Sequence, residues 1–207
     1  MKKVGLLGLT LLSVVALSAC ASNSTSSKNS DSSASQSTTT SSSKTVVNTE
    51  LRNKFDAITV GDIINSGEGG STIDEVKSSL GEPSSTTTSD DGGITTDTLN
   101  WYDGETSISI SFANNRVVNK AITGFLFDRD DTITLSDFNN LQTGTSYNDV
   151  YTSWGEPDGY SESLIMGSKS VSAYWYSNIK GEDSTANIFL MFTDDSLSTK
   201  SQTGLTD

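Results

Sequence analysis

The side chains able to do chemistry are few in kind. The chain of 207 residues holds one cysteine, Cys20, and no histidine. Without histidine there is no Ser-His-Asp or Cys-His group and no histidine-ligated metal. A lone thiol cannot close an internal disulfide. Carboxylates, Lys, Tyr and Ser remain for acid–base or nucleophilic work. Carboxylates abound: 26 Asp and Glu stand against 13 Lys and Arg, a net charge of −13. None of them is spaced as a two-carboxylate site, so an enzyme is not expected and no cofactor is implied. The acidity excludes nucleic acid as a partner, because phosphate binding needs a basic surface. It also argues against the chain lying flat on anionic lipid.

The surroundings of Cys20 define its role. Met1-Lys2-Lys3 is basic, Val4 to Leu17 is largely apolar, and Leu17-Ser18-Ala19-Cys20 follows. A basic start, a short apolar run and small residues before a cut make a secretory signal. The run is shorter than the roughly 20 residues of a membrane span. Leu17-Ser18-Ala19-Cys20 resembles the lipobox of bacterial lipoproteins. That resemblance implies diacylglycerol on the Cys20 thiol and cleavage just before it, with the membrane as a partner through the covalent lipid. Two or more acyl chains anchor stably where one does so only marginally. Cleavage removes Lys2 and Lys3 and no acid, leaving about −15. Ala21 supplies no Asp retention signal. The short Met-Lys-Lys start and a Ser/Thr tether favour a Gram-positive host and the outer face of its cytoplasmic membrane.

Residues 20–45 are the lipidated Cys20 and that tether. It is nearly all Ser, Thr, Asn, Ala and Lys, lacks apolar periodicity, and cannot bury a core. As a coil of 25 residues it spans roughly 25–30 Å. Asn23-Ser24-Thr25 matches a glycosylation sequon, which carries little weight in a bacterium.

The remainder repeats itself. Ile58-Thr59-Val60 matches Ile133-Thr134-Leu135, Asp62 matches Asp137, and Gly81-Glu82-Pro83 matches Gly155-Glu156-Pro157. Trp101-Tyr102 matches Trp175-Tyr176, and Lys120 matches Lys200. The spacing predicts two copies, 46–125 and 126–207, the second with six extra residues between Trp175 and Phe192. In each copy a hydroxyl residue and an early acid open a helix, which Gly stops and Pro forbids to resume. Shorter helices are predicted around Glu50–Ala57 and Ser136–Leu141. Ile108, Ile110 and Phe112 alternate with Ser107, Ser109 and Ser111, a half-buried strand. Asp103-Gly104 and Asn114-Asn115 make turns. The fold class predicted is α+β: two tandem repeats, each two short helices packed on one face of a four-stranded antiparallel sheet.

Tyr147-Asn148-Asp149-Val150, Trp154-Gly155-Glu156-Pro157 and Trp175-Tyr176, with their first-copy counterparts, resemble the beta-lactamase-inhibitor-protein-like (BLIP-like) fold. That superfamily includes SmpA/OmlA-related envelope lipoproteins and tandem-domain lipoproteins of Gram-positive bacteria. The resemblance covers about 46–207. It implies protein binding or envelope assembly and no catalytic motif residue. The cysteine pairs of the secreted inhibitor are missing, so inhibition of a beta-lactamase is not implied.

Strand parity points Tyr102, Tyr174, Tyr176, Phe189 and Met191 away from the helices. Ser109 and Ser111 of the first copy become Phe189 and Met191 in the second. Aromatics and Met favour interface cores. This face is the candidate site for a protein or cell-wall partner, against the alternative that it packs on copy one or under the insertion. Glu82 and Glu156 read as solvated residues at helix stops, and Trp101 and Trp175 as core anchors. Asp128, Asp130 and Asp131 form a charged linker: an EF-hand would need Gly at 133 and Glu at 139, where Ile133 and Asn139 stand. The leading expectation is a non-enzymatic, surface-anchored protein-binding or scaffold module. An envelope-assembly or stress lipoprotein is the first alternative and a carboxylate hydrolase the second.

Overall fold

The computed structural model describes residues 48–129 and 132–207. Leu17, Ser18, Ala19 and Cys20, the tether through residue 45, and Asp130 and Asp131 lie outside the described residues. Two helices, α1 (Thr49–Asp56) and α2 (Ile73–Leu80), precede strands β1 (Ser85–Asp91), β2 (Ile94–Asp103), β3 (Thr106–Ala113) and β4 (Arg116–Thr123). Then come α3 (Leu135–Asn140), α4 (Tyr147–Trp154), β5 (Gly159–Ile165), β6 (Ser168–Trp175), β7 (Asn187–Thr193) and β8 (Ser196–Thr203).

Local chemistry sets the helix ends. The Thr72 hydroxyl accepts the Glu75 N–H while the Glu75 carboxylate accepts the Thr72 N–H, a reciprocal cap that starts α2. Ser146 accepts the Asp149 N–H at the start of α4. Gly81 and Gly155, at φ +85° and +75°, end the two helices in a conformation that favours glycine.

The strands form one antiparallel sheet in the order β1 to β8. The four strands expected of each repeat are therefore joined edge to edge in one eight-stranded sheet. β4 pairs with β5 from Asn119↔Ser163 to Ile122↔Tyr160 and makes the sheet continuous. The reason lies at the seam. Ile122 is fully buried, Tyr160 packs on the apolar clusters of both halves, and Lys120 faces Glu162 at 3.9 Å.

Two clusters under the helices form the core. One centres on Phe55, Val76, Leu99, Ile110 and Ile122, the other on Val150, Trp175, Ile188, Leu190 and Phe192. The Trp101 indole N–H donates to Gly81 O at 2.9 Å, and that of Trp175 to Gly155 O at 3.3 Å. Each indole therefore ties its strand to a helix end.

A second device recurs. Lys120 Nζ donates to the carbonyls of Phe55, Asp56 and Ile58, the last at 2.7 Å. Lys200 Nζ donates to Phe138, Asn139 and Leu141, the last again at 2.7 Å. Each ammonium caps carbonyls at and just past a helix C-terminus and lies over a phenyl ring. By this device Phe55 corresponds to Phe138 and Ile58 to Leu141. The match of Ile58-Thr59-Val60 to Ile133-Thr134-Leu135, and of Asp62 to Asp137, is corrected. Asp137 caps α3, whereas Asp62 sits in the loop between α1 and α2, which is longer than the one between α3 and α4.

Candidate functional site

The sheet face away from the helices is set by strand register. One row crosses all eight strands: Ser85, Asn100, Ser109, Ala121, Ser161, Ser172, Met191 and Thr199. The neighbouring row includes Tyr102, Ser107 and Thr123 at one end and Gly159, Tyr174, Phe189 and Ser201 at the other. Neither row carries a charged side chain, in a chain whose net charge is −13. Small hydroxyl residues thus floor the middle of the sheet.

The structure brings three of the predicted residues together. Tyr174 and Phe189 are cross-strand partners with ring centroids 4.9 Å apart. Met191 follows on the same face and, like Phe189, is half-buried. Tyr174 is 39% exposed. Tyr102 is 60% exposed but stands on β2, four strands and roughly 19 Å away. Tyr176 is not part of this group. Strand β6 ends at Trp175, and the Tyr176 hydroxyl turns into the junction of the halves. There it accepts the Gly124 N–H at 2.8 Å and donates to Asp158 O at 3.1 Å. Burial holds this phenol above its ordinary value, although the Gly124 N–H favours the ionised form.

The junction is built around Asp158, which is fully buried. Its carboxylate accepts the N–H groups of Phe127, Tyr176 and Ser177 and pairs with Arg129 at 3.0 Å. The first half has Ser84 at the matching position after Gly-Glu-Pro. That exchange was the only sequence signal for this centre.

Comparison with known proteins places the chain. Residues 47–205 match the family described as "Domain of Unknown Function with solved-structure structure (DUF3862)". The chain belongs to the DUF3862 family. A crystal structure from Streptococcus mutans, described as that of a "putative beta-lactamase inhibitor protein", shares this DUF3862 chain's fold with a TM-score of 0.68. The two are 31% identical over 76% of this chain and 98% of that one. The BLIP-like architecture is therefore shown. No curated protein matches.

In this DUF3862 chain the fold also gathers carboxylates that the sequence left apart. Arg52, 2% exposed, donates its Nε–H to Asp56 at 3.1 Å and lies 3.4 Å from Glu156. One of its terminal nitrogens donates to Pro157 O at 3.0 Å. Glu156 is thus not the solvated residue expected: its side chain is 24% exposed, whereas that of Glu82 is 83% exposed. Burial raises the Glu156 pKa, Arg52 opposes this, and a hydrogen bond with Asp56 raises it further. Two carboxyls sharing a proton could serve acid–base chemistry. Here a buried guanidinium occupies both and joins α1 to the helix stop of the second half.

A last contact links the halves. The Asp62 carboxylate accepts the N–H groups of Gly167 at 2.7 Å and Met166 at 3.1 Å, in the β5–β6 turn. Burial raises its pKa, but the N–H groups of Ile64, Gly167, Met166 and Asn65 together hold it below the usual carboxylate value.

Proposed function

We propose that the chain is a lipoprotein, held at the outer face of a Gram-positive cytoplasmic membrane through Cys20, whose duplicated domain binds a protein without catalysing a reaction. The observation that carries this reading is the uncharged, helix-free sheet face, with the Tyr174–Phe189 pair and Met191 as its apolar centre. Such a face suits an interface: a dry aromatic anchor surrounded by small groups that hydrogen-bond without charge repulsion. The name of the Streptococcus mutans protein supports a binding role for the fold. The matching lysine caps and indole contacts support duplication, 46–125 and 126–207, as its origin. The Ser/Thr-rich composition of residues 20–45 suits a tether that would let the domain reach a partner.

The test places a photo-crosslinking residue at Tyr174 or Phe189 in living cells and identifies the adduct by mass spectrometry. A protein adduct from these positions, absent when the probe stands at Thr152 on α4, supports the reading. Equal labelling from both sides of the sheet, or an adduct with wall polymer, overturns it. A stoichiometric membrane protein would assign an envelope-assembly role, and a soluble or host protein an adhesin-like one. For the anchor, metabolic labelling with a palmitate analogue is expected to mark the wild type and not Cys20→Ala.

A further inference from the structure

Four of the five two-residue turns of the sheet lie at one end: Gly92-Gly93, Asn114-Asn115, Met166-Gly167 and Asp194-Asp195, each with both φ angles positive. This is the turn that Asn, Asp and Gly favour. Three of the four obey that preference. The fourth places Met166 at φ +53°, a conformation that L side chains rarely adopt, and leaves it 78% exposed. Ile165 beside it and Ile64 of the adjoining loop are each 50% exposed. The Asp62 carboxylate fixes the Met166 and Gly167 N–H groups, so this apolar turn is held in place. Next to it lies a cavity of about 230 Å³ lined by Ile63, Ile64 and Ile94 together with Ser66, Thr95 and Asn114.

The rim of this end is acidic. Asp90 and Asp91 flank it on one side and Asp194 and Asp195 on the other, all exposed. The nearby bases are engaged: Arg116 donates to Gly70 O at 2.8 Å, and Lys169 pairs with Glu162 at 3.2 Å. The chain preceding the domain leaves from the far end, where Asn48 bonds Asp103 at 2.8 Å.

We propose that the hairpin end docks a cationic amphipathic peptide, its apolar stripe on Ile64, Ile165 and Met166 and its Lys or Arg residues on the flanking aspartates. Charge complementarity selects this occupant. A second copy would set these aspartates against their equivalents, and an anionic lipid surface would be repelled. The net charge of −13 draws a basic peptide in from a distance. An apolar helix face bordered by bases is the complement of an apolar patch bordered by acids. This site is separate from the sheet face.

The test is fluorescence polarisation of the folded chain with a labelled 18-residue Leu/Lys amphipathic helix. A Glu/Leu helix of the same pattern and a Lys/Ser peptide of the same charge are the comparisons. The Leu/Lys peptide is expected to bind, and the other two to bind at least about tenfold more weakly. Met166→Asn, which suits the turn and should raise the melting temperature, is expected to weaken binding about tenfold, as is Ile64→Ser. No binding of the Leu/Lys peptide, equal binding of the Lys/Ser peptide, or unchanged affinity in both variants overturns the proposal. Competition mapped to Tyr174 rather than to the turns does so too.

Discussion

Asp62 accepts the N–H of Gly167 at 2.7 Å across 105 residues of sequence. A side chain from the first half thereby fixes a turn in the second. Asp62→Ala is expected to lower the melting temperature by several degrees and to loosen the β5–β6 turn before the rest, read by hydrogen exchange at Gly167. The folded-state pKa of Asp62 lies below its ordinary value of 3.8. Its stabilisation is therefore present above that value and lost as pH falls through the folded pKa. The gap between wild type and variant should close in acid.

Glu156 has the opposite sign. Its folded-state pKa is raised above 4.5, so ionisation works against the fold. The strain is absent below the ordinary value and appears as pH rises through the folded pKa. Glu156→Gln is expected to melt at or above the wild-type temperature at pH 7 and to match it near pH 4. Melting curves across that range decide the point.

Asp158→Asn keeps the volume and removes the charge. An amide would turn N–H groups toward backbone N–H donors and leave the buried Arg129 guanidinium without its counter-ion. The expected loss is about 3–5 kcal/mol, measured by denaturant unfolding.

Lys120→Met removes the ammonium that the carbonyls of Asp56 and Ile58 accept, and one of the two donors to Phe55 O, at a cost of about 2–4 kcal/mol. Lys200→Met should cost less, because Lys200 is less deeply buried. Unfolding midpoints of the two variants test both the size and the order.

With the crosslinking residue placed at Met191 on the same face, Tyr174→Ser with Phe189→Ser should abolish crosslinking while costing under about 1.5 kcal/mol of stability. A large stability loss without loss of crosslinking would mean that the pair serves the fold alone.

Local features were legible in the sequence and long-range pairing was not. Thr72 and Ser146 cap their helices through neighbours three residues on, and Ile108, Ile110 and Phe112 declare a strand by alternation. The same parity placed Tyr174, Phe189 and Met191 on one face. It failed for Tyr176, because parity holds only inside a strand and β6 stops one residue earlier. Strand β1, Ser-Thr-Thr-Thr-Ser-Asp-Asp, is exposed on both sides and shows no alternation to read. The β4–β5 seam depends on Ile122, Tyr160, Lys120 and Glu162 meeting across some forty residues, which no local pattern encodes. Asp158 differed from its counterpart Ser84, and that difference pointed to a site only once its burial was known.

Strand order in the sheet is also sequence order. Each strand can therefore pair with the one made just before it, and loop closure is short at every step except β4 to β5, where α3 and α4 intervene. The described residues contain no cysteine, so this ladder can form with no oxidative step. If the chain is exported as proposed, it would assemble strand by strand as it emerges. The contacts of Asp62, Arg52 and Tyr176 would then lock the two halves once both are present.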